Sequence, residues 1–238
     1  MQRPSHFELD YSHPLARGLV FAGLGNAPGA NRWFDSSVRK THGVFTTAPS
    51  WRSCRGRNAL YGNSDTTRVT ITGDWDCTLY TIACWYLPIT TVAYDQIFSL
   101  EPPSKYVVIG AGASNYDFHA WGGSATDSGV AFSTGTPVHL AALKQVGVAQ
   151  VDGYVNGVDT CTGGSSATMT AATSATIFDS ATYGGTAARG YIWDTMIWER
   201  RLSDAEMMQL ADLSNVMLSG LIREVGDYGN VYNLEGVR

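Results

Sequence analysis

The chain has 238 residues, of which 44% are hydrophobic and 16% charged, with a net charge of -5. That length and apolar content support one domain with a substantial core. The acidic balance and the scattered Lys and Arg give no footprint for phosphate binding, which argues against a nucleic-acid partner.

Residues 1–12 are polar and without period, and they read as an N-terminal arm. A secretory leader needs an unbroken apolar stretch, and His6, Glu8, Asp10 and His13 interrupt this one. Numbering from Met1, the expectation is a protein without signal peptide that stays in the cytoplasm. From Leu15 the string LARGLVFAGL reads as a first strand, and GNAPGAN after it is turn chemistry.

DSSVRKTHGVF and a loop at 51–57 follow, and then NALYGNSDTTRVTI, where Val69 and Ile71 alternate with Arg68, Thr70 and Thr72 as in a strand with one wet face. LYTIACWYLP is apolar on both sides and is stopped by Pro88, the pattern of an interior strand. The uncharged run that contains it is broken by Thr78, Thr81, Thr90 and Thr91, so no membrane span is expected. YDQIFSL, KYVVIGA and NYDFHAW continue as strands. PVHLAALK leads to VGVAQVDGYVNGVDT, in which Asn156-Gly157 signals a hairpin with a type I′ turn.

Residues 160–176 are nearly all Ser, Thr, Ala and Gly and read as a surface crossing. The stretch 190–213 carries the clearest change of period. Tyr191, Trp193, Thr195 and Ile197 alternate with Ile192, Asp194, Met196 and Trp198, which predicts a central strand apolar on both faces. Ser203 and Glu206 then form the S-x-x-E capping box of a short helix with Met207, Leu210 and Ala211 on its apolar stripe, lying across the end of that strand. The tail, 214–238, has Leu218, Leu221, Ile222 and Tyr232 to bury and wants a docking surface.

About a dozen short strands, one terminal helix and no βα alternation predict an all-β sandwich of two antiparallel sheets. Four cysteines, Cys54, Cys77, Cys84 and Cys161, permit three fully paired connectivities; free, structural thiols are the expected state.

Six ordered blocks across 13–213 resemble the laminin-G-like, concanavalin A-like jelly-roll family: HPLARGLV, DSSVRKTHG, NALYGNSDTTRVTI, TIACWYLP, PVHLAAL with GYVNGV, and GYIWDTMIWERRLSDAEMMQL. The resemblance implies a jelly-roll domain over 13–213 between the arm, 1–12, and a docking tail, 214–238. His13, His42 and His139 match family positions that imply structural hydrogen bonding. Relatives often carry two acidic residues where this chain has Trp193 and Asp194, which points that position to packing rather than metal.

Related glucanases carry a Glu-x-Asp-x-x-Glu strand whose carboxylates act as acid and nucleophile. Glu8-Leu9-Asp10 is not that motif, and no nucleophile elbow, P-loop or His-Glu-x-x-His string occurs, so the chain is expected not to be an enzyme. No cofactor is expected; calcium has loop acceptors in Asp65, Asp74, Asp76, Asp152 and Asn156 but no specific motif. For a sugar, Tyr116, His119, Trp121 and Tyr183 are the candidate platform. For partner docking, the candidates are Phe7, Leu9, Leu218, Leu221, Ile222 and Tyr232.

Two readings follow. The family's stand-alone copies resemble those among bacteriophage structural genes, which implies a virion protein, a capsid decoration or tail appendage, docking on other virion proteins or on itself as a homo-oligomer. The alternative is a soluble carbohydrate-binding module.

Overall fold

A computed structural model describes residues 6–24, 32–47, 49–55, 57–64, 67–90, 95–101, 107–112, 114–120, 125–144, 150–164, 171–179, 186–212 and 221–225. The first strands are β1 (His6–Leu9), β2 (Leu19–Gly23), β3 (Arg32–Trp33), β4 (Gly43–Thr47), β5 (Ser50–Cys54), β6 (Arg57–Gly62), β7 (Arg68–Asp76), β8 (Tyr80–Pro88) and β9 (Asp95–Glu101). They continue with β10 (Val107–Ala111), β11 (Asn115–Ala120), β12 (Thr126–Ala131), β13 (Val138–Lys144), β14 (Gln150–Val155), β15 (Val158–Gly164) and β16 (Ala171–Ile177). β17 (Thr186–Ala187), β18 (Gly190–Trp198), helix α1 (Asp204–Ala211) and β19 (Ile222–Val225) complete the described chain. No helix among the described residues is long and apolar enough to cross a membrane.

Two sheets face one another. The nine-stranded sheet has the order β12-β11-β10-β9-β16-β7-β4-β3, with β17 beside β9. The eight-stranded sheet has the order β15-β14-β13-β8-β18-β6-β5, with β2 beside β18. Alternation supplies one face of each sheet to a shared core: Val69 and Ile71, Ile82 and Cys84, Ile109, Phe118, Leu140 and Ile192 all lie in it. This is the jelly-roll sandwich the sequence predicts.

β18 does not alternate strictly. Trp193 pairs with Trp85 and Met196 with Ala83, so three steps on β18 match two on β8. The extra residue is a β-bulge, and Asp194 adopts φ 46° in it, a left-handed conformation that Asp tolerates better than most residues. The bulge reverses the phase of the strand. Ile192 and Ile197 point into the shared core, while Trp193, Met196 and Trp198 point outward.

The outward half of β18 beyond the bulge is covered by α1 and by the N-terminal segment. Met196, Trp198, Met207, Leu210, Leu15, Leu9 and Leu221 form one buried cluster there. The capping box is present, with Ser203 Oγ accepting from Glu206 N and Glu206 accepting from Ser203 N. Asn156 (φ 52°) and Gly157 (φ 79°) form the predicted turn under α1, where any Cβ on Gly157 would meet Met208 Cα at 2.8 Å.

β1 pairs antiparallel with β19, Leu9 opposite Ile222 and Phe7 opposite Glu224. The arm and this part of the tail therefore satisfy each other's backbone. Leu9 (4% exposed) and Leu221 (0%) are buried within the chain itself, which corrects their reading as partner-docking groups. Phe7 and Ile222 are placed only by that strand pairing, and Leu218 and Tyr232 lie outside the described residues.

The surface crossing expected at 160–176 is also corrected. Residues 158–164 and 171–177 are strands, and Ala172 and Ala175 are fully buried in the shared core beside large rings such as Trp75 and Phe98. Small side chains suit a core position when the flanking strands, here β7 and β9, supply the bulk.

Asp35 ties the two sheets together. Its Oδ1 accepts from Ala22 N (2.9 Å) and Ser37 N (2.7 Å), and its Oδ2 from Thr41 N (2.8 Å). Asp35 is 2% exposed. Asp35→Ala leaves these backbone donors unpaired, and at about 1–3 kcal/mol for each buried unpaired group we expect a loss of at least about 3 kcal/mol. Urea unfolding at unchanged m-value measures it, and a loss below about 1 kcal/mol rejects the keystone role.

Candidate functional site

The outer face of the eight-stranded sheet, on the side of the bulge away from α1, is aromatic. One cross-strand row runs Ser50, Tyr61, Tyr191, Leu87. The next runs Trp193, Trp85, His139, with Arg52 and Ala59 paired farther along it. Tyr191 and Trp193 share this face because they stand two apart in a strand before the bulge, and β8 and β6 set their partners beside them.

The two rows differ in exposure. Trp85 and Trp193 stack with ring centroids 6.0 Å apart and an interplanar angle of 8°. They are 5% and 2% exposed and form a closed floor. Tyr61, Tyr191 and Leu87 are half-buried and form an open rim. The two tyrosine rings are 4.9 Å apart, tilted at 44°, and Arg52 Cζ lies 3.7 Å from the Tyr61 centroid. With strands about 4.8 Å apart, the Tyr61–Tyr191–Leu87 rim is about 10 Å wide, room for one or two sugar rings.

The outer face of the nine-stranded sheet is polar instead. Its central row runs His119, Val108, Ser99, Thr176, Thr70, Val44. Ser99 Oγ and Thr176 Oγ1 lie 2.7 and 2.8 Å from Glu101 Oε1, and Thr176 Oγ1 also lies 2.7 Å from Asp179 O. Ser99, Glu101 and Thr176 are 0%, 2% and 0% exposed, so this network is sealed and secures the turn after β16. At its edge, burial and the nearby Asp127 push the Asp117 carboxyl up to about 6.

The sugar candidates expected from sequence do not come together. Tyr116 faces the shared core, 2% exposed and edge-on to Phe132 at 5.0 Å, and offers no open ring face. His119 lies on the opposite face of the same strand, half-buried. Trp121 and Tyr183 lie outside the described residues. Tyr61, Tyr191 and Arg52 were not among the sugar candidates expected from sequence. The signal was present in β18, whose apolar residues occupy both faces, but a second buried sheet face and an open aromatic platform read alike in one strand.

The loop acceptors expected for calcium are dispersed. Asp74 and Asp76 lie on β7, Asp152 pairs with Arg201, and Asn156 Oδ1 accepts from His139 N at 3.0 Å. Asp65 lies outside the described residues, and among those described no three His, Cys, Asp or Glu side chains gather as a metal site. All four cysteines are free, and burial pushes the Cys77 thiol up to about 12.

Residues 61–208 match the model of the concanavalin A-like lectin/glucanases superfamily. The chain belongs to this superfamily. Among solved structures it is similar to domain 4 of an extracellular arabinanase from Geobacillus stearothermophilus, solved with arabinotriose: TM-score 0.67, 18% identity, 82% of this chain and 98% of that one. It is similar to the binding domain of Paraclostridial mosquitocidal protein 1 at TM-score 0.63 and 13% identity, over 84% of this chain and 53% of that one. It also resembles Trypanosoma rangeli sialidase in complex with sialic acid at TM-score 0.65 and 14% identity, over 85% of this chain but only 34% of the sialidase. At these identities the likeness is one of fold. No curated protein sequence matches the chain.

The family histidines divide. His13 Nδ1 accepts from Leu15 N at 3.2 Å and His42 Nδ1 from Asp35 N at 3.1 Å, both structural. His139 is different: it packs 5.3 Å from Trp85, and its Nδ1 is buried without a hydrogen-bond partner. Burial lowers its pKa from 6.5 to about 3. The unfolded chain therefore binds a proton that the folded one refuses, and stability is complete above about pH 6.5 and falls as pH drops toward about 3. Urea midpoints at pH 7 and pH 5 should differ less in His139→Gln than in the native chain; equal differences remove His139 as the source.

Proposed function

We propose that this protein is a non-catalytic carbohydrate-binding module that holds a glycan against Tyr61 and Tyr191. The carrying observation is the half-open tyrosine pair on an outer sheet face, seated beside the closed Trp85–Trp193 floor. A ring face covers the C–H side of a sugar, and the phenol and guanidinium groups around it take hydroxyls, the composition of a small-ligand site. A rigid sheet holds these rings without ordering cost on binding. The arabinotriose-bound arabinanase domain, of which this chain covers 98%, supports the reading at the level of fold.

The bacteriophage-particle reading took the arm and tail as docking segments. β1 and β19 pair with each other, and Leu9 and Leu221 are buried in the chain's own cluster, so the glycan reading has the site behind it.

Titration calorimetry of the full chain against a panel of oligosaccharides, arabinotriose included, tests this. Tyr191→Ala should weaken the bound sugar by about ten-fold or more, the loss of one aromatic anchor, with an unchanged melting temperature. No binding across the panel, or binding indifferent to both Tyr61→Ala and Tyr191→Ala, sinks the reading.

A further inference from the structure

The hairpin that carries Tyr61 is opposite in charge to the chain as a whole. The net charge is -5, yet the β5–β6 hairpin, Ser50 through Gly62, contains Arg52, Arg55 and Arg57 and no Asp or Glu. Arg52 and Arg55 are exposed. The acid of β18, Asp194, is buried in the bulge, and β8 brings no acid to this face.

Arg52 is held but not used up. Its guanidinium carbon Cζ lies over the Tyr61 ring, 3.7 Å from the centroid, and its Nε donates to Ser50 Oγ at 3.3 Å. Among the described residues its terminal Nη groups have no acceptor and no ion-pair partner. A guanidinium carries its N–H donors in the plane of a rigid fork, the geometry that grips a carboxylate with two parallel hydrogen bonds. The stacking ring restricts the long side chain beforehand, so less freedom is lost when an anion arrives.

We infer that the glycan on this platform is an acidic one, a uronic or sialic acid, whose carboxylate pairs with Arg52 while its ring lies against Tyr191. This rests on the glycan-binding reading above. The shared chemistry is a sugar carboxylate, and uronic and sialic acids are two sources of it.

The full chain is titrated with matched pairs: trigalacturonic acid against neutral galactotriose, and 3′-sialyllactose against lactose. The acidic member of at least one pair should bind about ten-fold tighter at low salt, and which pair responds separates the two sources. Because the ion pair is open to solvent, the preference should shrink in 0.5 M salt, where the Debye length is only about 4 Å. Arg52→Gln should bring the members of the responsive pair within about two-fold of one another, and Arg52→Lys should restore part of the difference. Tyr191→Ala should weaken both members together, separating ring contact from charge.

Neutral members bound as tightly as acidic ones, or an acidic preference that survives Arg52→Gln, overturn this inference and leave the glycan reading standing. No binding by either member of both pairs, with no other sugar bound across the wider panel, overturns the glycan reading and this one with it.

Discussion

The extra residue at Asp194 governs how the outer face of this sandwich is used. A strand of strict period two would place Met196 and Trp198 on the same side as Ile192, inside the shared core. The bulge reverses the phase, so Tyr191, Trp193, Met196 and Trp198 all face outward while Ile192 and Ile197 face in. It also marks where β18 changes neighbour, from β6 at Gly190–Ile192 to β2 at Thr195–Trp198. One strand thereby builds two different surfaces on a single face.

Beyond the bulge the surface is closed. Trp198 Nε1 donates to Leu15 O at 2.7 Å, and Arg200 donates both to Arg17 O on the N-terminal segment and to the two carboxylate oxygens of Glu206 on α1. These bonds fasten the N-terminal segment and α1 over Met196 and Trp198, removing their apolar surface from water. Before the bulge the same side of the sheet keeps a half-open rim of Tyr61, Tyr191 and Leu87. The contrast explains why the candidate site is on this face and not on the polar face opposite. There the hydroxyls of Ser99 and Thr176 are already engaged with Glu101, and the central groups are sealed.

Much of the fold was legible because its signals are local. The capping box at Ser203 and Glu206, the Asn156-Gly157 turn and the wet and dry faces of Val69 and Ile71 each need only a few neighbouring residues to take effect. The family blocks added the order of strands, and the sandwich followed. The small residues at 171–177 were misread because their burial depends on rings such as Trp75 and Phe98, which are distant in sequence and are brought beside them only by the pairing of β16 with β7 and β9.

The candidate site was hidden for the same reason. Tyr116 and His119 lie close in sequence, but odd spacing along a strand sends them to opposite faces. Tyr61 and Tyr191 are far apart in sequence, and only the pairing of β6 with β18 brings their rings within 4.9 Å. The sequence by itself determined the strands, the turns, the helix cap and the family, since each is set by local backbone preference and hydrophobic period. Tertiary structure alone decided which apolar face is covered and which stays open, because exposure depends on neighbours that one strand's pattern does not encode.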